Sequence, residues 1–157
     1  MGTPQEDPHL LVFSLDGDQY GIHLDAVIRV VQMVEITRLP EAPESILGVI
    51  DVGGEIVPVI DVRQKVGAPA REIEISDHLI LAQNRERCIA LAVDTIEGVV
   101  EPGKNNLTAS SEIGDEIGSV EGVYSTEKGM VLIEELDTLL PHEDHKTLEK
   151  AISSGKK

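Results

Sequence analysis

The chain has 157 residues, of which 41% are hydrophobic, 27% charged and only 2% aromatic, and its formal net charge is −16. This length suits one compact domain or two small subdomains that share a core, which must be packed from aliphatic side chains. The charge argues against binding to nucleic acids or to anionic membrane surfaces, because both need clustered lysine and arginine. An acidic surface favours solubility and basic partners.

Cysteine usage and the N-terminal region predict an intracellular protein. Cys88 is the single cysteine, so it has no internal disulfide partner, and its apolar neighbours predict a buried core thiol. Residues 1–8 are polar with two prolines, which predicts a disordered tail rather than a signal peptide. No apolar stretch has the length of a membrane span, so we expect no direct membrane insertion.

The first part of the chain predicts short strands joined by tight turns. Residues 10–15 and 19–24 are predicted to pair as a hairpin across Asp16-Gly17-Asp18, because Asp-Gly is a strong turn signal. Residues 25–34 carry valines at helical spacing, but their β-branched density favours a strand that is entered through a short turn.

The clearest supersecondary signal is a pair of Val/Ile-rich runs, 47–52 and 55–62, which Gly53 and Gly54 join. Consecutive glycines supply the positive φ that a two-residue hairpin turn requires. Pro58 lies inside the second run and cannot donate a hydrogen bond to a sheet. That strand is therefore predicted to be an edge at Pro58 or to carry a bulge.

A polar connector over 66–74 precedes a second group of strands. These strands are predicted over 78–82, 88–93, 95–100, 120–125 and 130–133, with a loop-rich section over 101–118. Residues 134–140 either end the last strand or start a helical turn. A helix is predicted over 144–152, with Asp144 as its cap. Many short strands with frequent turns are typical of all-β barrels or sandwiches.

Candidate catalytic and metal-binding residues are few, and no cofactor is expected. The chain has no dinucleotide, phosphate-loop, nucleophile-elbow or zinc motif. His142 and His145 lack a third ligand at a defined spacing, and Asp51 and Asp61 lack a partner histidine. Asp94 is predicted to be a turn or cap residue. We therefore expect a module that binds proteins and does no chemistry.

Several segments carry a recognisable family pattern. The segment LVFSLDGDQYGIHLDAV has an apolar strand, a charged turn and then a second strand, and it is followed by ITRLPEAPESILGVIDVGGEIVPVIDVR. Further matching positions in the second half are Ala92-Val93-Asp94, Gly98-Val99, Gly122-Val123-Tyr124 and Met130-Val131-Leu132-Ile133. With these positions in order over residues 10–150, the chain resembles the chemotaxis coupling-protein (CheW-like) family.

The resemblance implies an all-β fold of two small five-stranded SH3-like barrels that share an aliphatic core and carry a C-terminal helix. The domain would span 9–150 as two intertwined subdomains with a break near 66–76, followed by a tail over 151–157. It also implies a non-catalytic cytoplasmic scaffold. Such a scaffold couples the cytoplasmic tips of chemoreceptors (methyl-accepting chemotaxis proteins) to the regulatory domain of a CheA-type histidine kinase, and it is recruited to membrane-associated receptor arrays.

Two positions depart from the family pattern. The family usually has an acidic residue where this chain has Arg29, and it has an arginine, associated with receptor contact, where this chain has Gly53. Two interpretations stay open. Gly53 is either drift to a better hairpin turn, or part of a charge rearrangement in which Arg29 supplies the missing positive charge.

Candidate binding residues follow from the resemblance. Those for the receptor-facing groove and its edge are Val27, Arg29, Val31, Ile36, Asp51 and Gly53. Those for the kinase or array contact are Asp77 and His78. The three aliphatic candidates are equally consistent with core positions. The alternative functions are an adaptor of a non-motility receptor–kinase pathway and a small enzyme with an aliphatic pocket.

Overall fold

The computed structural model describes residues 9–103, 106–109, 120–127 and 129–155. The described strands are β1 (Leu10–Leu15), β2 (Asp18–His23), β3 (Val27–Gln32), β4 (Ile46–Val52), β5 (Glu55–Ile60), β6 (His78–Gln83), β7 (Cys88–Val93), β8 (Thr95–Val100), β9 (Leu107–Ala109), β10 (Val120–Thr126) and β11 (Gly129–Glu134). The helices are α1 (Val62–Val66), α2 (Leu136–Leu139) and α3 (His142–Gly155), and a 3-10 turn over Leu24–Ala26 precedes β3. The predicted disordered tail over 1–8 lies outside the described residues, as do 104–105 and 110–118 of the predicted loop section.

The strands form two sheets. One sheet has the order β8-β1-β2-β11-β10-β9, and the other has the order β3-β6-β7-β5-β4. Hairpin neighbours are antiparallel, as short turns require, whereas β2 with β11 and β5 with β7 are parallel pairs. The predicted all-β fold with a C-terminal helix is therefore confirmed.

One sheet has six strands rather than the five predicted for each barrel. The additional strand is β9, which falls within the section predicted to be a loop and pairs with β10. The connector near 66–76 does not separate the two sheets, because each sheet takes strands from both sides of it. The two parallel pairs interleave the first and second halves of the chain.

The five-stranded sheet closes into a small barrel where the segment after β3 meets β4. Thr37 and Val49 exchange two backbone hydrogen bonds, from the Thr37 N–H to the Val49 oxygen at 2.9 Å and from the Val49 N–H to the Thr37 oxygen at 2.8 Å. This approach requires Gly48, because a Cβ atom there would lie 2.3 Å from the Thr37 carbonyl oxygen. Closure covers part of the β4 edge, which would otherwise be open to other chains.

Aliphatic side chains pack against both faces of the five-stranded sheet, as the composition requires. One face lines the barrel interior, whose buried residues are Ile50, Val57, Val59, Leu79, Leu81, Ala90 and Ala92. The other face packs against the six-stranded sheet in a shared core, whose members include Phe13, Tyr20, Ile60, Ile80, Leu91 and Leu148. The predicted aliphatic core between two barrels is therefore confirmed.

The predicted Gly-Gly hairpin joins β4 to β5. Gly53 and Gly54 adopt φ angles of +60° and +94°, and the Asp51 carboxylate accepts a hydrogen bond from the Gly54 N–H at 2.8 Å. Pro58 pairs with β4 on one side, and the parallel pairing with β7 on the other side begins at Val59. The strand is therefore locally an edge at Pro58, as predicted from its missing N–H.

Helix α1 occupies residues that were predicted to end a strand and to start the connector. Asp61 caps the helix, because its carboxylate accepts a hydrogen bond from the Gln64 N–H at 3.3 Å. Gly67 ends the helix with a left-handed φ of +79°. The helix carries the buried side chain of Arg63 to the junction between the two sheets.

Helix α3 is longer than predicted. It spans His142–Gly155 rather than 144–152, so residues 151–155, which were assigned to a tail, are helical. Leu148 and Ala151 are buried, and Leu148 belongs to the shared core. Ala151 continues the buried face of the helix. Packing of this face therefore stabilises helical residues beyond the segment that was predicted from the sequence.

Asp94 lies in the bend between β7 and β8, as predicted, and it is also the centre of an ion-pair cluster. Its carboxylate accepts hydrogen bonds from Arg63 Nη2 at 2.6 and 2.8 Å and from Arg71 Nη2 at 2.5 Å. The Asp16 backbone N–H donates to the same carboxylate at 2.9 Å. Arg63 also pairs with the Asp16 side chain, and Arg71 pairs with Asp77. The cluster joins the β1–β2 turn, α1, the connector and the β7–β8 junction.

The cluster changes the ionisation of Asp94. Burial disfavours the charged carboxylate, but the N–H of Asp16 and the guanidinium groups of Arg63 and Arg71 outweigh burial, so the pKa of Asp94 is lowered. A carboxylate whose pKa is lowered by folding stabilises the protein above its unfolded pKa. This stabilisation is lost as the pH falls through the folded pKa, so the cluster stabilises the fold at neutral pH but not in acid.

Replacing Asp94 tests the contribution of the cluster. Asp94→Asn should lower the free energy of unfolding at pH 7 by about 2 to 3 kcal/mol, because it leaves the buried Arg63 beside a neutral amide. The variant should also lose less stability than the parent protein below about pH 4. Urea unfolding followed by circular dichroism at several pH values measures both effects.

The control is Asp18→Asn, which changes an exposed carboxylate at the start of β2. Its free energy of unfolding should stay within about 0.5 kcal/mol of the parent value. If Asp94→Asn were as stable as this control, the cluster would not stabilise the fold.

Replacing Gly48 tests the closure of the barrel. Gly48→Ala should lower the free energy of unfolding by about 3 kcal/mol or more, because its methyl group would collide with the Thr37 backbone. Gly53→Ala is the control, since a Cβ there meets nothing within 4 Å and costs only about 1 kcal/mol of left-handed backbone strain. Chemical unfolding of both variants measures the difference, and equal losses would contradict the close approach at Gly48.

Candidate functional site

A cavity of about 830 Å³ lies between the two sheets. It is bordered by the start of β1, the end of β2, the β6–β7 turn, β10 and the segment from β11 into α2. Its aliphatic lining includes Leu10, Ala26, Leu107, Ile133 and Leu136. We call this cavity the inter-sheet groove. Mixed aliphatic and polar lining of this kind suits a bound segment of another molecule.

The inter-sheet groove is negatively charged. Its lining carboxylates are Asp25, Glu121, Glu134, Glu135 and Asp137, against one arginine, Arg85. Asp137 makes two contacts with that arginine. Its Oδ1 accepts a hydrogen bond from the backbone N–H of Arg85 at 2.9 Å, and its Oδ2 lies 3.4 Å from Nε of the Arg85 side chain. His23 pairs with Glu121. The excess of carboxylates favours a partner with basic side chains.

The edge strand β3 begins at the border of the inter-sheet groove. Ala26 lines the groove, and β3 is an outermost strand of its sheet. Ile28 and Arg29 are exposed on β3, and Arg29 forms no ion pair with any other described residue. A strand edge with an exposed aliphatic side chain and an unpaired cation is available to a partner.

The structure separates the three aliphatic residues that were predicted for the receptor-facing groove. All three are half-buried. Val27 packs against the shared core, whereas Val31 and Ile36 pack against the barrel interior. They therefore face opposite sides of the five-stranded sheet. Val27 adjoins the inter-sheet groove through its neighbour Ala26, and the other two do not line it.

Asp51 and Gly53, which were predicted for the groove edge, are exposed at the β4–β5 turn. Strand pairing through β6, β7 and β5 places Arg29 level with Gly48, near the start of β4. Gly53 lies beyond the other end of β4. The register therefore does not bring Arg29 beside the position where the family carries its arginine.

Asp77 and His78, predicted for the kinase or array contact, have different environments. Asp77 is only 4% exposed, and its carboxylate accepts hydrogen bonds from Arg71 at 2.9 Å and from the Glu74 N–H at 2.8 Å. His78 is half-buried, with Nδ1 lying 3.4 Å from the Asp94 carbonyl oxygen. Asp77 therefore holds the connector in place, while His78 retains some surface for direct contact.

The thiol of Cys88 is half-buried rather than buried as predicted. Cys88 starts β7 at the open end of the barrel, where it packs against the barrel interior. Burial and, to a smaller extent, the carboxylate of Glu55 raise the pKa of the Cys88 thiol. A raised pKa keeps the group as an unreactive thiol at neutral pH.

One of the two candidate metal-binding histidines, His145, contacts Arg87 and Glu86. His145 accepts a hydrogen bond from Arg87 Nε at 2.9 Å, and its other ring nitrogen lies 2.9 Å from Glu86. The side chain of His142 lies outside the described part. Within the described ranges, no three His, Cys, Asp or Glu side chains are grouped as metal ligands. In the same ranges, no helix has both the length and the apolar character for crossing a membrane.

Sequence reasoning missed the residues that build the inter-sheet groove and the ion-pair cluster. Asp25 and Glu121 are far apart in the chain, so no local pattern connects them. The position of Arg63 was a local indication, because Arg63 directly follows the apolar run over 55–62. A cation that is buried at the end of such a run needs carboxylate partners. Arg71 lies in the polar connector, where no local pattern indicated a role in an ion-pair cluster.

Comparisons with known proteins point to one family. The model of the CheW-like domain matches residues 9–144. A protein named "Chemotaxis protein CheW" from Rhizobium meliloti (strain 1021) is 26% identical, over 86% of this chain and 88% of its own length, and one of the same name from Bacillus subtilis (strain 168) is 26% identical, over 85% and 87%. The crystal structure of "scaffolding protein TtCheW" from Thermoanaerobacter tengcongensis is similar with a TM-score of 0.77 and 30% identity, covering 85% of this chain and 92% of that chain. The chain belongs to the CheW-like domain family.

Proposed function

We propose that this protein is a non-catalytic scaffold of chemotaxis signalling that couples chemoreceptors to a CheA-type histidine kinase. Relatives with the name "Chemotaxis protein CheW" and the similar structure described as a scaffolding protein support this role. The net charge of −16 supports a partner with basic side chains. In this role the protein works in the cytoplasm and is recruited to receptor arrays at the membrane.

The observation that carries the proposal is the inter-sheet groove. It is formed jointly by both sheets, so it presents a surface that neither sheet has alone. Its aliphatic lining suits an apolar stripe of a receptor helix, and its carboxylates suit basic side chains beside that stripe. We propose that the tip of a chemoreceptor docks here, with Val27 and Arg29 of β3 at the border.

The kinase contact is proposed for the five-stranded barrel. His78 is partly exposed at the start of β6 and is the candidate for this contact, whereas Asp51 and Gly53, at the opposite end of the barrel, stay candidates for the receptor contact. Asp77 contributes by holding Arg71 rather than by direct contact.

A non-motility receptor–kinase pathway is the alternative setting for the same adaptor. The two settings share the groove and the barrel, and they differ in the output of the kinase. A deletion strain distinguishes them, because loss of swimming towards attractants indicates chemotaxis, whereas normal swimming with an altered developmental or second-messenger output indicates the alternative.

The coupling role is tested by calorimetry with the regulatory domain of the cognate histidine kinase, with and without a receptor-tip fragment. Saturable binding to both partners is expected. Binding to the kinase domain alone would contradict receptor docking in the inter-sheet groove. Binding to neither partner would overturn the scaffold role and leave the family assignment intact.

Reversing one groove charge tests the docking site. Asp25→Lys should weaken binding of the receptor-tip fragment about tenfold, because it replaces an exposed groove carboxylate with a cation. Asp18→Lys makes the same charge change on β2 outside the groove lining, so it controls for net charge. Calorimetric titration measures both affinities, and equal affinities would exclude the groove as the site.

Reversing the charge of Arg29 tests the border strand. Arg29→Glu should weaken receptor or kinase binding about tenfold, because Arg29 is an exposed cation that is available for a charge pair with a partner. Lys146→Glu, on the exposed side of α3, is the control with the same change in net charge. Unchanged affinity of Arg29→Glu for both partners would rule out the charge rearrangement and leave Gly53 as drift to a better hairpin turn.

A further inference from the structure

One contact in the inter-sheet groove joins two strands that are not neighbours. His23 at the end of β2 and Glu121 near the start of β10 both line the groove, and β11 lies between these strands in the sheet. His23 Nε2 nevertheless lies 2.5 Å from Glu121 Oε2. The two side chains are 43% and 38% exposed. The contact is therefore close, and a molecule in the groove can reach it.

The backbone of β10 is irregular at Glu121. Val120 pairs with Glu134 of β11 and Gly122 pairs with Ile133, so Glu121 is an extra residue between two paired ones. Such a β-bulge changes the direction of a side chain, and bulges are frequent beside functional sites. The irregular backbone therefore places the Glu121 carboxylate among the residues that line the groove.

The groove carboxylates differ in how well they can receive a new cation. Asp137 is held by an arginine, and Glu134 is only 1% exposed. Asp25 and Glu135 are exposed, so water and salt screen their charges strongly. Glu121 is half-buried, and a half-buried charge is screened less. Glu121 is therefore the groove carboxylate that combines access with a strong ion pair.

We propose that Glu121 receives a basic side chain of the docked receptor segment, and that His23 holds Glu121 until docking displaces it. This inference rests on the proposed function, and it names the residue that recognises the cation. A neutral imidazole offers Glu121 one hydrogen bond between a neutral and a charged group. An arginine or lysine of the receptor offers a hydrogen bond between two opposite charges, which is stronger. The exchange is therefore favourable when His23 is neutral.

Protonation of His23 opposes the exchange. Histidine side chains commonly gain or lose their proton between about pH 5 and 8. A protonated His23 forms an ion pair with Glu121, and the receptor cation must then break this pair. Docking is therefore linked to the release of a proton from His23. By this linkage, the affinity for the receptor falls as the pH falls and His23 becomes protonated.

Other ionisable groups surround His23. Those that line the groove with it, besides Glu121, are Asp25, Arg85, Glu134, Glu135 and Asp137. Next to it, His9 at the start of β1 lies 3.6 Å from Glu101. All these groups are also present in a His23 variant. A comparison of parent and variant at the same pH therefore isolates the titration of His23.

Calorimetric titration of the full chain with a receptor-tip fragment, between about pH 5.5 and pH 8, tests the inference. The affinity of the parent should fall about tenfold over this range. His23→Gln keeps a neutral donor that gains no proton. It should match the parent near pH 8 and bind the fragment about tenfold more tightly than the parent near pH 5.5.

Two further variants separate recognition from general effects. Glu121→Gln should weaken binding about tenfold near pH 8, because it removes the carboxylate that receives the cation. His9→Gln is the matched control, since His9 also lies beside a glutamate but outside the groove lining. Its affinity should follow that of the parent at every pH. Circular dichroism verifies that all variants fold.

A measurement on the parent chain tests the displacement without any substitution. The midpoint of the His23 ring titration, followed by nuclear magnetic resonance, should move to lower pH when the fragment saturates the protein. This shift is expected because displaced His23 loses the carboxylate that favours its protonated form.

Three outcomes would overturn the inference and leave the proposed function standing. They are a His23→Gln variant with the pH dependence of the parent, a Glu121→Gln variant with the affinity of the parent, and a His23 midpoint that the fragment does not lower. A parent chain that binds no fragment at any pH would overturn the proposed function as well.

Discussion

The carboxylate of Asp94 connects the two sheets of this protein. It lies where the chain passes from β7 in one sheet to β8 in the other. From there it binds the turn between β1 and β2 through Asp16, helix α1 through Arg63, and the connector through Arg71. The inter-sheet groove depends on this arrangement, because its lining comes from both sheets and needs a fixed relation between them.

The charge of the inter-sheet groove decides which partners it suits. Carboxylates dominate the lining of the inter-sheet groove. A chain of net charge −16 attracts basic partners at long range and repels its own copies. Under the proposed function, these charges favour a receptor segment with basic side chains.

Local features of the fold could be predicted from the sequence, and long-range features could not. The Gly53-Gly54 turn and the β-branched stretch of β3 have local causes, so their structures agree with the predictions. The parallel pairs and the sixth strand depend on residues that are far apart in the chain. The same reason explains the ion-pair cluster and the inter-sheet groove. Asp94 lies in a turn, as predicted, but Arg63 and Arg71 reach it from distant parts of the chain, and Asp25 and Glu121 of the groove are also far apart in the sequence.

The parallel pairing of β2 with β11 joins the beginning of the domain to its end. Loop closure over such a span is entropically costly, so the six-stranded sheet is expected to form late and slowly compared with the local hairpins. During synthesis, β1 and β2 leave the ribosome long before β11 exists, and their apolar side chains lack their final neighbours for that interval. The high content of acidic residues then has a second use, because charge repulsion keeps incomplete chains apart until the last strand arrives.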